Sequence, residues 1–547
     1  MKRISQARSL LRRQLVLLII IAGFTTACGR PASDKAFTAA QEAASSEPDV
    51  ALVSGVAGTP TLAPTVGGSV LGLPRKSQTP TPIPPTTTPN PTSTAVPSPT
   101  PRISPMPIPT PPNTLVEFYQ IRPGDTLGGI SYAYDISIEE LVALNGLESE
   151  SAIINAGETL HVPLRVNRTG PLVILIPDSE VVFSPAYVDF DTATFLRETG
   201  GYLVSYSQPV NGDMSTAAEI IDRVARQFSV GPRVLLALLE YYGGWVTQSQ
   251  PAQEQPLGPA NPYGDNLFLQ LSWTANRLNE GYYGYKQSGS IAVRFRDSSR
   301  AIVPPGMNAG TVALQNVLAV HTDWDTWLQD VQPDGFMQTY RDLFGDPFAV
   351  AIEPLVPINL TQPEMKLPWQ AGKTFYYSGG PHAAYGDGSA WAAIDFGPPD
   401  VLGSCYYSGE YTTAAAGGQV LLDRPGVIYQ DLDSDEGPAD GNLQTGWALL
   451  YLHVVVVDGL TSGQKVQAGT PLGYASCEGG LANATHLHFA RRYNGEWMAA
   501  DGPVPMILSG WQVKAGLSQY EGQMVRDGIV KESCECWDGE KNGLVGE

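Results

Sequence analysis

Five side chains between Tyr376 and Trp511 have the types and spacing of a metal site: His382, Asp395, His453, His486 and His488. Four of the chain's six histidines fall in this stretch. His486 and His488 are two apart and flanked by Leu487 and Phe489. Residues i and i+2 of a strand share a face, so both imidazoles project together. Asp395 lies in the apolar run Trp391-Ala-Ala-Ile-Asp-Phe, where an unpartnered carboxylate is costly. His382 follows a Gly-Gly-Pro turn, and His453 ends the run Leu449-Leu450-Tyr451-Leu452. Two imidazoles and one carboxylate make a catalytic zinc set, with three protein ligands and a fourth position open to water. No helix-borne HExxH occurs, which excludes a thermolysin-like helix site.

The HLHF at His486–Phe489 and the YLH at Tyr451–His453 resemble the two histidine motifs of the zinc peptidoglycan endopeptidases of the LytM (M23) type. The resemblance covers Tyr376–Trp511, roughly a quarter of the chain. That family usually places a histidine four residues before the aspartate, where this chain has Trp391. The GGPH ending at His382, with Asp395 thirteen residues on, resembles instead the β-lytic branch, in which such a turn supplies the first ligand. The resemblance implies an all-β domain over residues 365–515 and a zinc ion on His382, Asp395 and His488. It further implies that His486 takes a proton from the attacking water and that His453 hydrogen-bonds the oxyanion. The expected activity is cleavage of peptidoglycan peptide cross-bridges. Two rival expectations remain: a LytM-type lipoprotein without catalysis that activates a cell-wall amidase, and a passive wall-binding protein.

The beginning of the chain reads as a targeting signal. Lys2, Arg3, Arg8, Arg12 and Arg13 precede an apolar run from Leu15 to Phe24, which ends in Thr25-Thr26-Ala27-Cys28. Small residues before a cysteine resemble a bacterial lipoprotein signal over residues 1–28, implying lipidation of Cys28 and an exported, membrane-tethered envelope protein. Residues 29–113 are rich in Ala, Ser, Thr, Gly and Pro, a disordered linker of polyproline II character. At about 3.1 Å per residue its Pro/Thr part reaches on the order of 100 Å. The remaining four cysteines allow three pairings in an oxidising compartment. Cys405 and Cys477, both inside the peptidase-like region, are the preferred pair, and a Cys534–Cys536 bridge would be tight. Lys plus Arg, 33, against Asp plus Glu, 54, gives a net charge of −21, which argues against a nucleic-acid or anionic-membrane surface as partner.

Between linker and peptidase region lie two further units. Residues 116–164 read as strand, two helices and strand, with Ser137 and Glu140 as a capping box and Ile136 and Leu141 as its hydrophobic staple. Pro123-Gly124-Asp125-Thr126-Leu127, Leu144-Asn145-Gly146 and Leu160 to Pro163 closely resemble a LysM domain, which implies binding of N-acetylglucosamine-containing glycan; His161 reads as a strand residue. Residues 170–355 are mainly helical, with a capping box at Thr216 and Glu219 and a Gly231-Pro232 break. They faintly resemble lysozyme-like lytic transglycosylases, but Glu240 is offset by two residues from the expected acid, so a non-catalytic glycan-binding or structural role is expected. Tyr282, Tyr283 and Tyr285 suit either sugar stacking or packing. The acidic run Asp431 to Glu436 lacks the spacing of a calcium loop. Residues 516–547 read as a tail. The expected architecture is multidomain: a small βααβ LysM module, a mainly α-helical middle domain, and an all-β antiparallel M23-type domain.

Overall fold

The computed structural model describes residues 115–547, apart from 122–124, 135, 156–157, 165, 167, 252–254, 290, 402 and 433–438. The expected signal segment with Cys28, the Pro/Thr linker, the Pro123-Gly124 turn and most of the acidic run Asp431 to Glu436 lie outside these residues.

The first unit is β1 (Leu115–Gln120), α1 (Leu127–Tyr134), α2 (Ile138–Asn145) and β2 (Thr159–Leu164), with the two strands paired antiparallel. Thr126 Oγ1 accepts from Gly129 N at 3.0 Å and starts α1. Ser137 caps α2 by accepting from Glu140 N at 3.1 Å, and Gly146 leaves it at φ 62°, a left-handed stop that glycine adopts without a steric penalty. The Asn145 amide then pairs with the backbone of His161, donating to its carbonyl at 2.7 Å and accepting from its N–H at 2.6 Å. This clamp seals α2 on β2 over a separate core of Ile121, Leu127, Ile130, Ile136, Leu141, Leu160 and Val162.

Among the described residues eight α-helices follow: α3 (Asp178–Val181), α4 (Thr192–Thr199), α5 (Ala217–Phe228), α6 (Pro232–Gly243), α7 (Leu267–Ser288), α8 (Ala309–Ala319), α9 (Trp324–Asp330) and α10 (Phe336–Phe344). Two ribbons interrupt them, β3 (Ser207–Val210) with β4 (Asp213–Thr216), and β5 (Ala292–Arg294) with β6 (Arg300–Ile302). The Thr216–Glu219 capping box is complete, and α5 buries Ile220, Ile221, Val224 and Phe228 at helical spacing. Gly281 admits α8 against α7, where a Cβ would meet Ala313 Cα at 2.8 Å.

The C-terminal strands are β7 (Thr374–His382), β8 (Ala393–Gly397), β9 (Tyr411–Thr413), β10 (Gly418–Arg424), β11 (Gly426–Leu432), β12 (Trp447–Val456), β13 (Lys465–Val466), β14 (Pro471–Ala475), β15 (Leu487–Tyr493), β16 (Glu496–Trp497), β17 (Ile507–Leu508), β18 (Trp511–Ala515), β19 (Gly522–Arg526), β20 (Ile529–Glu532) and β21 (Gly543–Val545). An antiparallel sheet runs in the order β13-β10-β11-β12-β15-β8-β7-β21, and β17 to β20 form a second sheet. Alternation divides the main sheet's side chains between two cores. Ile394, Phe396, Ile428, Leu449, Tyr451, Leu487 and Phe489 fill one side. Ala393, Val427, Tyr429, Leu450, Leu452 and Ala490 face the other and share a single core with α5 to α8. The two regions are also joined by Arg226 Nε to Asp423 Oδ1 at 2.7 Å and Lys286 Nζ to Glu496 Oε1 at 2.5 Å.

Residues 516–547 are not a tail. Their β19 and β20 extend the second sheet, and β21 pairs with β7 through Leu544 opposite Phe375, covering the outer edge of a strand that otherwise exposes its hydrogen-bonding groups. Cys405 and Cys477 are bonded, and so are Cys534 and Cys536. Among the described residues no helix is long and apolar enough to cross a membrane.

Candidate metal centre

Register sets the first two ligand candidates opposite one another: His488 of β15 pairs with Asp395 of β8. Both face the side of the sheet that carries Ala393 and Ala490, since their neighbours Ile394 and Phe489 fill the other core. His382 comes from the neighbouring strand. It was expected on a turn and is instead the last residue of β7, brought alongside by two register irregularities between Tyr377 and His382. The two glycines before it answer to space. A Cβ on Gly379 would meet Asp395 Oδ2 at 2.7 Å, and one on Gly380 would meet the Glu521 backbone at 2.4 Å.

His453 and His486 border this cluster. His453 has φ 65°, outside the strand range, and falls where the pairing of β11 with β12 shifts. The left-handed residue puts the His453 ring on the same side as Leu452, where regular alternation would have sent it into the opposite core. His486 immediately precedes β15 and lies with its ring centroid 4.5 Å from that of His453. All five expected residues therefore come together in space.

Hydrogen bonds to the backbone dictate what the rings present. His382 Nδ1 lies 2.8 Å from Gly380 O and His488 Nε2 2.9 Å from Ala384 O. His453 Nδ1 lies 2.8 Å from Glu478 O and His486 Nδ1 2.8 Å from Ala484 O. A carbonyl only accepts, and a neutral imidazole has one N–H, so each outer nitrogen donates and each inner nitrogen is a bare lone pair. His382 Nε2 and His488 Nδ1 face each other at 3.0 Å, and Asp395 Oδ1 stands 3.4 Å and 3.2 Å from them. Asp395 Oδ1 is buried without a hydrogen bond of good geometry. Two lone pairs and a carboxylate oxygen, all within 4.8 Å in a buried setting, repel unless a cation lies between them. The donor set, two imidazole nitrogens and one carboxylate oxygen, fits zinc.

Electrostatics agree with this chemistry. Burial opposes ionisation of Asp395, and positive charge at the facing His382 and His486 outweighs it, holding the carboxyl well below the usual range; a cation seated among the neutral rings supplies positive charge at the same place. Burial, together with His486 and His488, holds the His453 ring well below the ordinary histidine value and therefore neutral. Tyr520 was not anticipated from the sequence. It stacks on His382 at 4.2 Å between centroids with an interplanar angle of 19°, and its backbone adopts φ 69°. Only the fold, which returns the β18–β19 loop over β7, reveals it.

The other candidates fall elsewhere. The Glu240 carboxylate accepts from Val246 N at 2.9 Å and Thr247 N at 3.0 Å, clasping the turn after α6. Tyr282, Tyr283 and Tyr285 are buried, and their hydroxyls bond Glu496, Trp497 N and Met307 N. They pack; they offer no face to a sugar. Trp391 is half-buried, and its carbonyl accepts from Ala500 N at 2.8 Å.

Comparison with known proteins gives two family matches and several similar proteins. Residues 119–163 match the LysM domain family, and residues 174–359 match the LasA N-terminal domain family, in the region whose sequence pattern suggested a lysozyme-like unit. Protease LasA of Pseudomonas aeruginosa strain UCBPP-PA14 is 27% identical over 334 residues, covering 56% of this chain and 73% of that protein. LasA of strain PAO1 gives the same figures. Among solved structures, the M23 metalloprotease pseudoalterin, from the deep sea, is 24% identical over 34% of this chain and 99% of its own, with a TM-score of 0.26. The catalytic domain of lysostaphin from Staphylococcus simulans is 19% identical over 23% of this chain and 88% of its own, with a TM-score of 0.16. The LysM and LasA matches bear out the two resemblances read from the sequence, a LysM module and an M23-type peptidase domain.

Proposed function

We propose that this chain is a zinc endopeptidase that cuts peptidoglycan peptide cross-bridges, carried to its substrate by the LysM module and exported as a lipoprotein anchored at Cys28. The observation that supports the reading most directly is the convergence of His382 Nε2 and His488 Nδ1, left as lone pairs by the carbonyls on their other nitrogens, with the buried Asp395 Oδ1. Zinc held by these three residues supplies Lewis acidity and lowers the pKa of a coordinated water toward about 7.

The chain's own groups do the rest. The usual division of labour in the resembled family has His486 as base and His453 as donor to the oxyanion. We carry that pair over as the two side chains that act on the bound water: His486 Nε2, left a lone pair by the Ala484 carbonyl at Nδ1, accepts the proton, and the His453 ring lies beside it at 4.5 Å between centroids. His486 Nε2 stands 3.8 Å from the Asp395 carboxylate, at the edge of the donor set. Export and anchoring are supported by the basic and apolar runs ahead of Cys28 and by the cysteine pairs.

The decisive experiment combines metal analysis of purified protein with mass spectrometry of digested peptidoglycan. One zinc per chain and newly released peptide termini are expected. Peptidoglycan left intact by zinc-loaded protein would leave an adaptor and overturn the hydrolase. Loss of fatty-acid labelling in Cys28→Ala tests the anchor separately.

A further inference from the structure

Two of the carbonyls that orient the site belong to turns held by one buried cluster at the junction with the helical region. Ala384 O, the acceptor for His488 Nε2, opens the turn Tyr385 to Ser389, which is closed by Tyr385 N donating to Ser389 Oγ at 3.0 Å. That turn leans on the helices. Gly388 N donates to Asn276 Oδ1 at 2.8 Å, a Cβ on Gly388 would meet Asn276 O at 2.2 Å, and Phe228 stands edge-on to Tyr385 at 5.0 Å. Glu478 O, the acceptor for His453 Nδ1, precedes Gly479, whose carbonyl accepts from Arg424 Nη1 at 2.7 Å.

The two turns meet at three side chains. Arg424 Nη2 donates to the Tyr385 hydroxyl at 2.8 Å. With its amide oxygen turned to the guanidinium, Gln227 of α5 accepts from Arg424 Nε at 2.7 Å and donates to the Tyr385 hydroxyl at 3.2 Å. Gln227 and Tyr385 are buried, so their polar atoms have little recourse to water if a partner is removed.

We propose that Gln227, Tyr385 and Arg424 form a positioning relay through which the helical region fixes the ring orientation, and the hydrogen-bearing nitrogen, of His488 and His453. The relay rests on the metallopeptidase reading for its purpose, although its geometry is independent of it. Outer-shell partners that fix a ligating histidine typically govern metal affinity by about 10- to 100-fold. The three residues touch neither the three metal-site donors nor the reacting bond; they act through Ala384 and Glu478.

The test uses the full chain with its histidines labelled with 15N, studied metal-free by NMR and then titrated with zinc against a chromogenic chelator. In the native protein His488 should carry its hydrogen on Nε2 and His453 on Nδ1. In Tyr385→Phe and Arg424→Gln these should become tautomeric mixtures, with zinc bound about tenfold more weakly. Gln227→Met disturbs the same relay from the helical side and serves if either of the others fails to fold. Lys286→Met, which breaks a different contact between the regions, should change neither tautomer nor affinity. Native tautomers and affinity in the folded relay variants would overturn the proposal, and so would an equal disturbance in Lys286→Met. Native protein that holds no zinc and cuts no peptide would end the enzymatic reading, while the metal-free tautomers would still decide the relay.

Discussion

At the scale of single residues, the site is defined by what is missing as much as by what is present. Gly379 has no side chain because the Asp395 carboxylate occupies that space, so Gly379→Ala should cost most of the bound metal, as His382→Ala should, both read as zinc per chain. His453→Gln should keep the metal and lower kcat by roughly 10²- to 10⁴-fold, the usual worth of a positioned acid or base. Away from the site, burial pushes His321 down to about 4. The unfolded chain takes up that proton near pH 6.5 and the folded chain resists it until about 4. The resulting stability is therefore complete above pH 6.5 and is lost as pH falls through this window, by up to roughly 3 kcal/mol. Urea unfolding of His321→Gln should show a shallower loss between pH 6.5 and 4; an identical slope would refute the assignment. That His382, Asp395, His453, His486 and His488 come together was legible because their types are rare and their spacings chemical. Tyr520, Gln227 and Tyr385 were not, because their meaning lies in partners up to two hundred positions away, which no local pattern encodes.

At the scale of elements, short-range chemistry spoke clearly and long-range closure did not. The LysM unit could be read almost whole, since caps at Thr126 and Ser137 and the stop at Gly146 are local signals. The part played by β21 was invisible: its three residues acquire purpose only beside β7. The Cys405–Cys477 bond is likewise an element-level device. It closes a separation of 72 residues and ties the Ser404–Tyr406 loop to the strand that leads to Glu478. Thr485, next to His486, donates to that loop at Ser404 O from both its N–H and its hydroxyl, each at 2.9 Å. By loop-closure entropy its removal should cost about 4 kcal/mol. The double variant Cys405→Ser/Cys477→Ser should accordingly unfold at lower denaturant concentration. It should also lose activity before it loses structure, as the segment carrying His486 loosens.

At the scale of the whole molecule, the distribution of cores predicts how it comes apart. The helices and the main sheet share one apolar interior, whereas the LysM unit encloses its own. Calorimetry should therefore show two transitions, a small one for LysM and a single larger one for the rest, rather than three. Removing residues 115–164 should eliminate the first, weaken binding to cell walls, and leave cleavage of short soluble peptides unchanged. A loss of soluble-peptide cleavage on that deletion would mean that the module does more than deliver the enzyme.

The pairing of Asp395 opposite His488 carries a consequence for insertions and deletions. Strand faces swap with every added residue, so one extra amino acid inside β8 would turn the carboxylate into the oily side and set Ile394 beside His382 and His488 in its place. Length in this segment is thus as strictly specified as chemistry: a neutral-looking frame-preserving codon gained between Ala393 and Asp395 should abolish function more surely than many point changes around it.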